Sequence, residues 1–443
     1  SSDVCSSDLR YRNYLAISRG QARVVVGTRA AVYAPVADLG LVCLWDDGDD
    51  LHADPRAPYP HTRDVAALRV VAEQSALLLA SHGRTAEVQA WANRGWLGLI
   101  DLGGGELRRR SPAVRATADS DFALERDPRA ASSRLPSLAF DTIRTGLASG
   151  PVLVQVPRAG YLPVLACQNC RTRVRCPACH GPVRLRRSRG GRQLDCTWCG
   201  RLITDWRCPV CGGGELRAPV VGSGRTVDEL GRAFPGIRVQ ESSGERILAA
   251  VGEQPALVVC TPGAEPAASH GYAAAVLLDA HLLLERPDLR AAEESVRRWM
   301  NAVALVRPGA EGGTVCLVGP SQLRPVQAVV RLDAGGHAER ELADRAEAGY
   351  PPAVRFVTAE GAANAVRELI ELLPEVPGLD VLGPIELTSP LPMGQEEPLW
   401  QLSLRVPLVE GTNLVSAVKG AAAVRSARKL DGPLRVRVDP VHL

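Results

Sequence analysis

Lysine is nearly missing from this chain of 443 residues: Lys419 and Lys429 are the only two among 52 basic residues, so arginine carries the positive charge. A GC-rich coding sequence gives the same bias, and it leaves a surface of forked donors suited to phosphate oxygens. The shortage also has a local consequence. A phosphate-cradling loop of the form GxxxxGK[ST] needs lysine followed by serine or threonine, and here the two lysines are followed by Gly420 and Leu430. No run of eighteen apolar residues occurs, so no membrane span is expected. Aromatic residues make up only 4% of the chain, and its most arginine-rich segment holds just Trp198 and Trp206. The chain does not begin with methionine. Its opening SSDVCSSDL repeats SSD without hydrophobic period and reads as neither signal peptide, strand nor helix. Residues 1–9, Cys5 included, are therefore set apart as a foreign junction. The native protein is expected to start further upstream, which makes this chain a C-terminal portion.

What is present is ordinary for a globular protein: 46% hydrophobic and 23% charged residues with a net charge of +3. That length accommodates two to four domains, and that charge is too small to choose a partner. Short apolar runs separated by helical stretches recur along the first three quarters. ARVVVGTRAAVYA (22–34) reads as a β-branched core stretch, followed by LGLVCLW (39–45) and ALLLAS (76–81), with a helix over 62–74 between the last two. A polar stretch at 108–134 reads as a linker or surface loop. The pattern resumes with a helix at 138–149 and the runs GPVLVQV (150–156), ALVVCT (256–261), AAVLLDA (274–280) and GTVCLVG (313–319). Near-continuous apolar strands alternating with helices predict a parallel sheet covered on both faces. The fold class is thus α/β, with two such units, the second split by an insertion. Cys43, Cys260, Cys316 and His281 lie on or beside these strands and are expected to pack rather than ligate. After Tyr350 the order becomes strand, helix, strand, strand, helix, strand over 353–439. Leu402, Leu404, Val406 and Leu408 alternate on one face, and Arg435 and Arg437 point outward. This βαββαβ order is ferredoxin-like.

The insertion carries the firmest chemistry. Eight of the twelve cysteines fall between Cys167 and Cys211 as four C-x2-C pairs: CQNC, CPAC, CTWC and CPVC. Each pair suits a turn whose two thiolates grip one ion, and four sulfurs complete a tetrahedral zinc shell. A chain with two α/β units and no secretory signal points to a reducing cytoplasm rather than a disulfide framework. The first two pairs are only five residues apart, which is cramped for one ion, whereas the second and third are sixteen apart, a comfortable ribbon loop. The spacing predicts nested sites: Cys176, Cys179, Cys196 and Cys199 inside, and Cys167, Cys170, Cys208 and Cys211 around them. With eight cysteines at hand, His180 is expected to be a bystander. The same segment holds ten arginines against Asp195 and Asp205, an excess that two tetrathiolate zinc sites would halve. Its most basic spot is the hairpin tip with Arg184, Arg186, Arg187 and Arg189. Contact with nucleic-acid phosphate and a merely solvated hairpin account for this spot equally well.

A second constellation follows the run at 39–45. Trp45 is succeeded by Asp46, Asp47, Asp49 and Asp50, and a buried strand ending in acids is how many nucleotide hydrolases hold magnesium. Counting alone favours such a site.

Several stretches resemble the primosomal protein N′ (PriA) family of superfamily 2 DNA helicases, which restart stalled replication forks. They are VVGTRAAVYAPVADLGL (25–41), PRAGYLPVLACQNC (157–170), GSGRTVDELGRAFPG (222–236), YPPAVRF (350–356), VLGPIE (381–386) and VRVDP (436–440). The resemblance covers residues 10–443. It implies two RecA-like helicase lobes, the first incomplete and ending near residue 125, the second formed by 126–166 and 214–345. A zinc-binding insertion with two four-cysteine sites would span 167–213, nested as the spacing suggests, and the C-terminal domain 346–443. It implies DNA as ligand, in forks and single strands. It also implies primosome proteins, single-strand-binding protein and the replicative helicase or its loader as partners, with ATP and magnesium as the family's cofactors. The family's nucleotide loop lies upstream of this chain. Its Asp-Glu-Glu-His box aligns with Trp45-Asp46-Asp47-Gly48, placing an indole where the metal-binding Asp belongs, which marks Trp45, Asp46 and Asp47 as a degenerate Walker B motif. Its Ser-Ala-Thr-Pro-Ser motif aligns with Ser81-His82-Gly83-Arg84-Thr85, and its GRAGR region with Ala304-Leu305-Val306-Arg307-Pro308. Three departures serving one phosphoryl-transfer reaction indicate a helicase fold without the ATPase, and the acids after Trp45 are then expected to form a solvated loop. The leading reading is a cytoplasmic, nucleoid-associated, non-catalytic fork-binding protein with two zinc ions and no catalytic residues. The alternatives are a working ATP-dependent helicase and a zinc-ribbon interaction module with no DNA role.

Overall fold

The structure is a computed structural model that describes residues 6–117, 134–158, 165–170, 172–188, 191–196, 199–217, 222–244, 246–387 and 398–442. Contacts divide the chain into two units, one of residues 1–98 with 338–443, the other of residues 99–337.

The first unit begins with α1 (Ser6–Ser18), β1 (Leu41–Trp45), α2 (Thr62–Glu73), β2 (Ala76–Ala80) and α3 (Ala86–Asn93). Strands β1 and β2 pair in parallel from Leu41 opposite Ala76 to Trp45 opposite Ala80. His61 caps α2 by accepting the Arg63 backbone N–H through Nδ1, and the Thr85 hydroxyl caps α3 by accepting from Val88. Three expectations need correction here. Residues 6–9 are helical, as the start of α1. The run at 22–34 forms no strand: Val26 is 93% exposed, and Arg29–Tyr33 is a 3-10 turn. Its β-branched composition lacks the paired neighbour that turns propensity into a strand. Cys43 is exposed on β1 rather than packed. The apolar interior of this part is small, comprising Val32, Leu44, Ala66, Val70, Ala86 and Ala90, and it is matched by buried Asp46, Asp47, Thr62, Arg63, Thr85, Glu87 and Gln89.

The second unit contains α4 (Gly104–Arg110), β3 (Ala113–Ala116), α5 (Ser137–Leu147), β4 (Val152–Gln155), then β5 (Ala166–Cys167), β6 (Val183–Ser188), β7 (Gly191–Cys196), β8 (Leu202–Ile203) and β9 (Leu216–Arg217). It continues through α6 (Ser223–Ala233), β10 (Arg238–Ser242), β11 (Ala256–Cys260), β12 (Ala274–Leu277), α7 (Ala280–Leu284), α8 (Ala291–Val303), β13 (Thr314–Leu317) and α9 (Arg324–Arg331). Six strands form one parallel sheet in the order β10-β11-β4-β12-β13-β3. Both faces are covered, which explains the unbroken apolar runs. Leu153, Val258, Ala275 and Leu277 pack with Trp299 and Met300 on one side, while Val152, Val154, Leu257 and Val276 pack with Ile143 and Leu230 on the other. The stretch read as a polar linker contributes an edge strand instead: Val114 pairs beside Val315 and Arg115 beside Cys316. An edge position demands little hydrophobic pattern, so the strand left little trace in the sequence. Cys260 and Cys316 are buried as expected.

Helix α10 (Ala334–Ala348) contains the boundary between the units. After it come β14 (Val354–Gly361), α11 (Ala363–Leu372), β15 (Asp380–Glu386), β16 (Trp400–Pro407), α12 (Gly411–Ala427) and β17 (Leu434–Val438). They form an antiparallel sheet in the order β15-β16-β14-β17, the ferredoxin-like arrangement. Val357, Ala359, Leu402, Leu404 and Val406 bury one face against Val366, Leu369, Leu414 and Val418 of the two helices, while Leu408 falls past the end of β16. On the opposite face Tyr350 stacks on Phe356 with ring centroids 5.8 Å apart, and the Arg437 guanidinium lies 5.2 Å from the Tyr59 ring.

Leu404 is fully buried at the centre of this sheet. Leu404→Ala is expected to cost about 2–5 kcal/mol, read as an earlier urea-unfolding transition with unchanged far-ultraviolet circular dichroism before the transition.

Candidate metal centres and an acidic strand end

The four cysteine pairs fold as one repeated turn. In each, the backbone N–H of the first cysteine donates to the carbonyl five residues on: Cys167 to Thr172, Cys176 to Gly181, Cys196 to Arg201 and Cys208 to Gly213, at 2.8–2.9 Å. In three of the turns a second bond returns to the first cysteine's carbonyl from His180, Gly200 and Gly212 at 2.9–3.0 Å. Those three residues have φ of 56°, 69° and 71°. Glycine adopts this left-handed geometry freely, whereas a residue with a Cβ does so at a cost. His180 is therefore a turn residue, exposed and placed away from ligation.

Two quartets result. Cys167, Cys170, Cys208 and Cys211 hold their Sγ atoms within 4.8 Å of one another, and so do Cys176, Cys179, Cys196 and Cys199. The closest Sγ pairs are Cys167–Cys211 at 3.5 Å, Cys170–Cys208 at 3.3 Å, Cys176–Cys199 at 3.7 Å and Cys179–Cys196 at 3.4 Å. A disulfide needs about 2.05 Å, whereas a tetrahedron with metal–sulfur bonds of about 2.3 Å has edges of roughly 3.8 Å. Each quartet could hold a metal ion, and the all-thiol donor set is consistent with zinc. Backbone N–H groups support the sulfurs, with Ala178 donating to Cys176 Sγ and Cys199 to Cys196 Sγ at 3.4 and 3.5 Å. Within the outer quartet a side-chain hydrogen bond with Thr172 lowers the Cys170 thiol, while side-chain hydrogen bonds with Cys167 and Cys170 raise that of Cys211.

The inner quartet takes Cys196 from the end of β7 in the antiparallel β6-β7-β8 sheet, and the outer one takes Cys167 from β5, which pairs with β9. The buried apolar residues of the module are few: Leu165, Ala166, Val174 and Val183 beside Cys176 and Cys196. Arg173 and Arg175, on the bridge between the quartets, both pair with Glu285 beyond α7, Arg173 at 3.5 Å. His281 lies near the same arginines, and burial, reinforced by them, pushes its imidazole down to about 3. Of the basic tip residues, Arg184 is engaged: it donates to the buried Asp195 across the hairpin at 2.8–2.9 Å. Arg186 and Arg187 lie on β6 opposite Gln193 and Arg192, and Arg189 lies outside the described residues.

Of the acids after β1, Asp50 is exposed and Asp49 half-buried, but Asp46 and Asp47 are not the solvated loop expected of them. Asp46 and Asp47 are buried, whereas Trp45 is 55% exposed and meets His82 edge-on at 5.2 Å. Asp46 Oδ1 accepts from the Ser81 hydroxyl at 3.0 Å, and Asp47 Oδ2 accepts from Arg63 Nη1 at 3.0 Å and from the Thr85 hydroxyl at 2.8 Å. Burial raises the Asp47 carboxyl pKa and Arg63 opposes the rise. One carboxylate oxygen of Asp47 is thus taken by both a guanidinium and a hydroxyl. In the second unit Arg307 is held in the same way. It donates through Nε to the carbonyls of His270 and Gly271 at 2.9 and 3.2 Å, and through Nη1 to that of Ser149 at 3.1 Å. Sequence reasoning missed Arg63, Glu87 and Arg345 around Asp47. It also missed Arg134, which bridges Asp279 at 3.0 Å and Glu229 at 2.7 Å. Each of these arginines meets an acid that lies far away in sequence, so no local motif marks the pairs.

At His180, replacement by glycine keeps the turn and removes the left-handed penalty. His180→Gly is expected to raise the unfolding free energy of the module by about 0.5–1 kcal/mol without lowering its metal content, measured by chemical denaturation and elemental analysis.

Residues 346–441 match the family described as primosomal protein N C-terminal domain. Over 442 residues the chain is 46% identical to the probable replication restart protein PriA of Mycobacterium leprae, covering 98% of this chain and 67% of that protein. It is equally 46% identical to the Mycobacterium tuberculosis protein of the same name over 448 residues, 98% of this chain and 68% of the relative. Similarity extends to the replication restart protein PriA of Bacillus subtilis, 25% identical over 78% of this chain and 44% of that protein. The chain, spanning about two thirds of its mycobacterial relatives, belongs to the replication restart protein PriA family.

Proposed function

We propose that this chain is the zinc-bearing body of a replication restart protein that binds forked or single-stranded DNA and supports primosome assembly without hydrolysing ATP. The six-stranded sheet unit is read as the second helicase lobe, carrying the zinc module of 167–213, and β1–β2 with α2 and α3 as part of the first. Residues 346–443 are read as a surface for partners, among them single-strand-binding protein and the replicative helicase or its loader. The observation that carries the non-hydrolytic reading is the strand end of β1, where Trp45 stands in the metal-binding position and Asp47 is closed by Arg63. Arg307, tied to three backbone carbonyls, supports it, since those bonds withdraw it from any transferring phosphate.

Zinc is read as structural at both quartets. All-cysteine sites saturate the metal with protein ligands and leave no open position for chemistry. Binding of this kind contributes on the order of 10 kcal/mol of folding free energy per site, which a module with so small an apolar core needs. Of the ten arginines between Cys167 and Cys211, Arg173 and Arg175 are paired with Glu285 and Arg184 braces the hairpin through Asp195; the phosphate-binding charge is assigned to the others, Arg186 and Arg187 on β6 first among them.

Elemental analysis of the purified chain is expected to give two zinc ions, falling to one in Cys196→Ser. Fewer than two in the parent chain would refute the pairing of thiols. In fluorescence anisotropy with fork DNA, affinity is expected to fall steeply with salt and to weaken roughly tenfold in Arg186→Ala/Arg187→Ala at fixed salt. The same preparation, at full length, is expected to release no phosphate from ATP above background when fork DNA is added. DNA-stimulated hydrolysis that disappears in Asp46→Asn or Asp47→Asn would establish a working helicase instead.

A further inference from the structure

The acidic strand end is part of a longer chain of buried charge. Arg63 Nη1 lies 3.0 Å from Asp47 Oδ2 and 3.7 Å from Glu87 Oε2, so one nitrogen stands between two carboxylates. Asp47, Arg63 and Glu87 are 3%, 5% and 7% exposed. On its far side Glu87 Oε1 lies 3.9 Å from Arg345 Nη1, and Arg345, 2% exposed, reaches Glu341 at 3.5 Å. Further neighbours include the Thr85 hydroxyl on Asp47, Asp64, 3.5 Å from Arg63 Nε and half in solvent, Asp439, whose carboxyl feels the charge of Glu87, and the Trp91 ring, 5.8 Å from the guanidinium carbon. Helix α10 is fastened again one turn earlier, where Glu339 accepts from Gln89 at 2.8 Å and from Asn93 at 3.0 Å. The four most buried members, two acids and two arginines, balance in charge.

That balance decides what the site can accept. A divalent cation between Asp47 and Glu87 would perform the task Arg63 performs, holding two desolvated carboxylates together. Adding one while Arg63 remains would press a second cation against a guanidinium that already engages both carboxylates, which is costly out of water. We propose that Arg63 is a built-in cation: it occupies the role of a divalent metal between Asp47 and Glu87, and through Glu87 and Arg345 it makes the seating of residues 338–348 depend on that pairing. The proposal rests on reading the strand end as no longer serving magnesium. It uses no DNA readout, so failure of the DNA-binding reading leaves it standing, and its own failure leaves that reading standing.

The test uses the zinc-loaded full chain without chelator and follows thermal unfolding with and without millimolar manganese(II). The parent chain is expected to show the same midpoint in both. Arg63→Met is expected to unfold on the order of 5–10 °C lower and to regain part of that loss in manganese, because two buried acids have lost their counter-charge. Arg63→Met/Asp47→Asn is expected to lose less than the two single changes together and to ignore manganese. Simple additivity would overturn the proposal, as would a parent chain stabilised by manganese in a way that Asp47→Asn abolishes. Should Arg63→Met not fold, Asp47→Asn alone decides by amide hydrogen exchange. The backbone amides of 338–348 must exchange at least tenfold faster with zinc content unchanged, and unaltered protection there refutes the coupling.

Discussion

Between β1 and α2 the Arg63 guanidinium meets the Asp47 carboxylate at 3.0 Å, with both groups out of water. Desolvation costs several kcal/mol per ion, and such a pair persists only where further donors and charges complete it. Here Thr85 supplies a hydroxyl, Glu87 a second acid and Arg345 a second base. The pair also explains why this part of the first unit keeps its shape with so little apolar interior. Alanines fill the space behind α2 and α3, and the directional contacts are polar. Registry comes from hydrogen bonds and ion pairs that tolerate one geometry, a role in which buried charge can serve specificity more than stability.

The cysteine module meets the same shortage of core by another route. Among its described residues the buried aliphatic side chains are Leu165, Ala166, Val174 and Val183, too few to order it against chain entropy. Eight thiols on four turns closed by the same first hydrogen bond can, once a cation neutralises each quartet. The module is then joined to its sheet by charge, through Arg173 and Arg175 on Glu285. Both devices place a positive centre among acids or thiolates where a larger protein would place leucines.

What the sequence disclosed follows the range of the interactions. The thiol quartets were legible because each turn is local and the spacings between turns limit how they can fold back. The strands β4, β11, β12 and β13 were legible because burial on both faces leaves an unbroken apolar run. The C-terminal domain was readable in its order of elements and in the alternation over β16. Three things stayed hidden. Strand β3 is an edge, and half of its alternation faces no core. The valines at 24–26 look like a strand, yet no described residue pairs with them. Asp46 is met by Ser81, thirty-five positions on, and Asp47 by Arg63, sixteen positions on and turned inward from a helix that reads as amphipathic. Acids following a strand look solvated until their partner is known, and that partner carries no motif.

Arg63 also bears on how this strand end can change over generations. On the proposed reading of the strand end, an aspartate in place of Trp45 would put a third acid beside Asp46 and Asp47 while the guanidinium still engages Asp47. Removing Arg63 first would strand two acids in the interior. Each single step back toward a metal site therefore passes through a less stable protein, and only joint substitution avoids the valley. A motif eroded by scattered point changes could revert one letter at a time, whereas a motif closed by an internal counter-ion behaves as a ratchet.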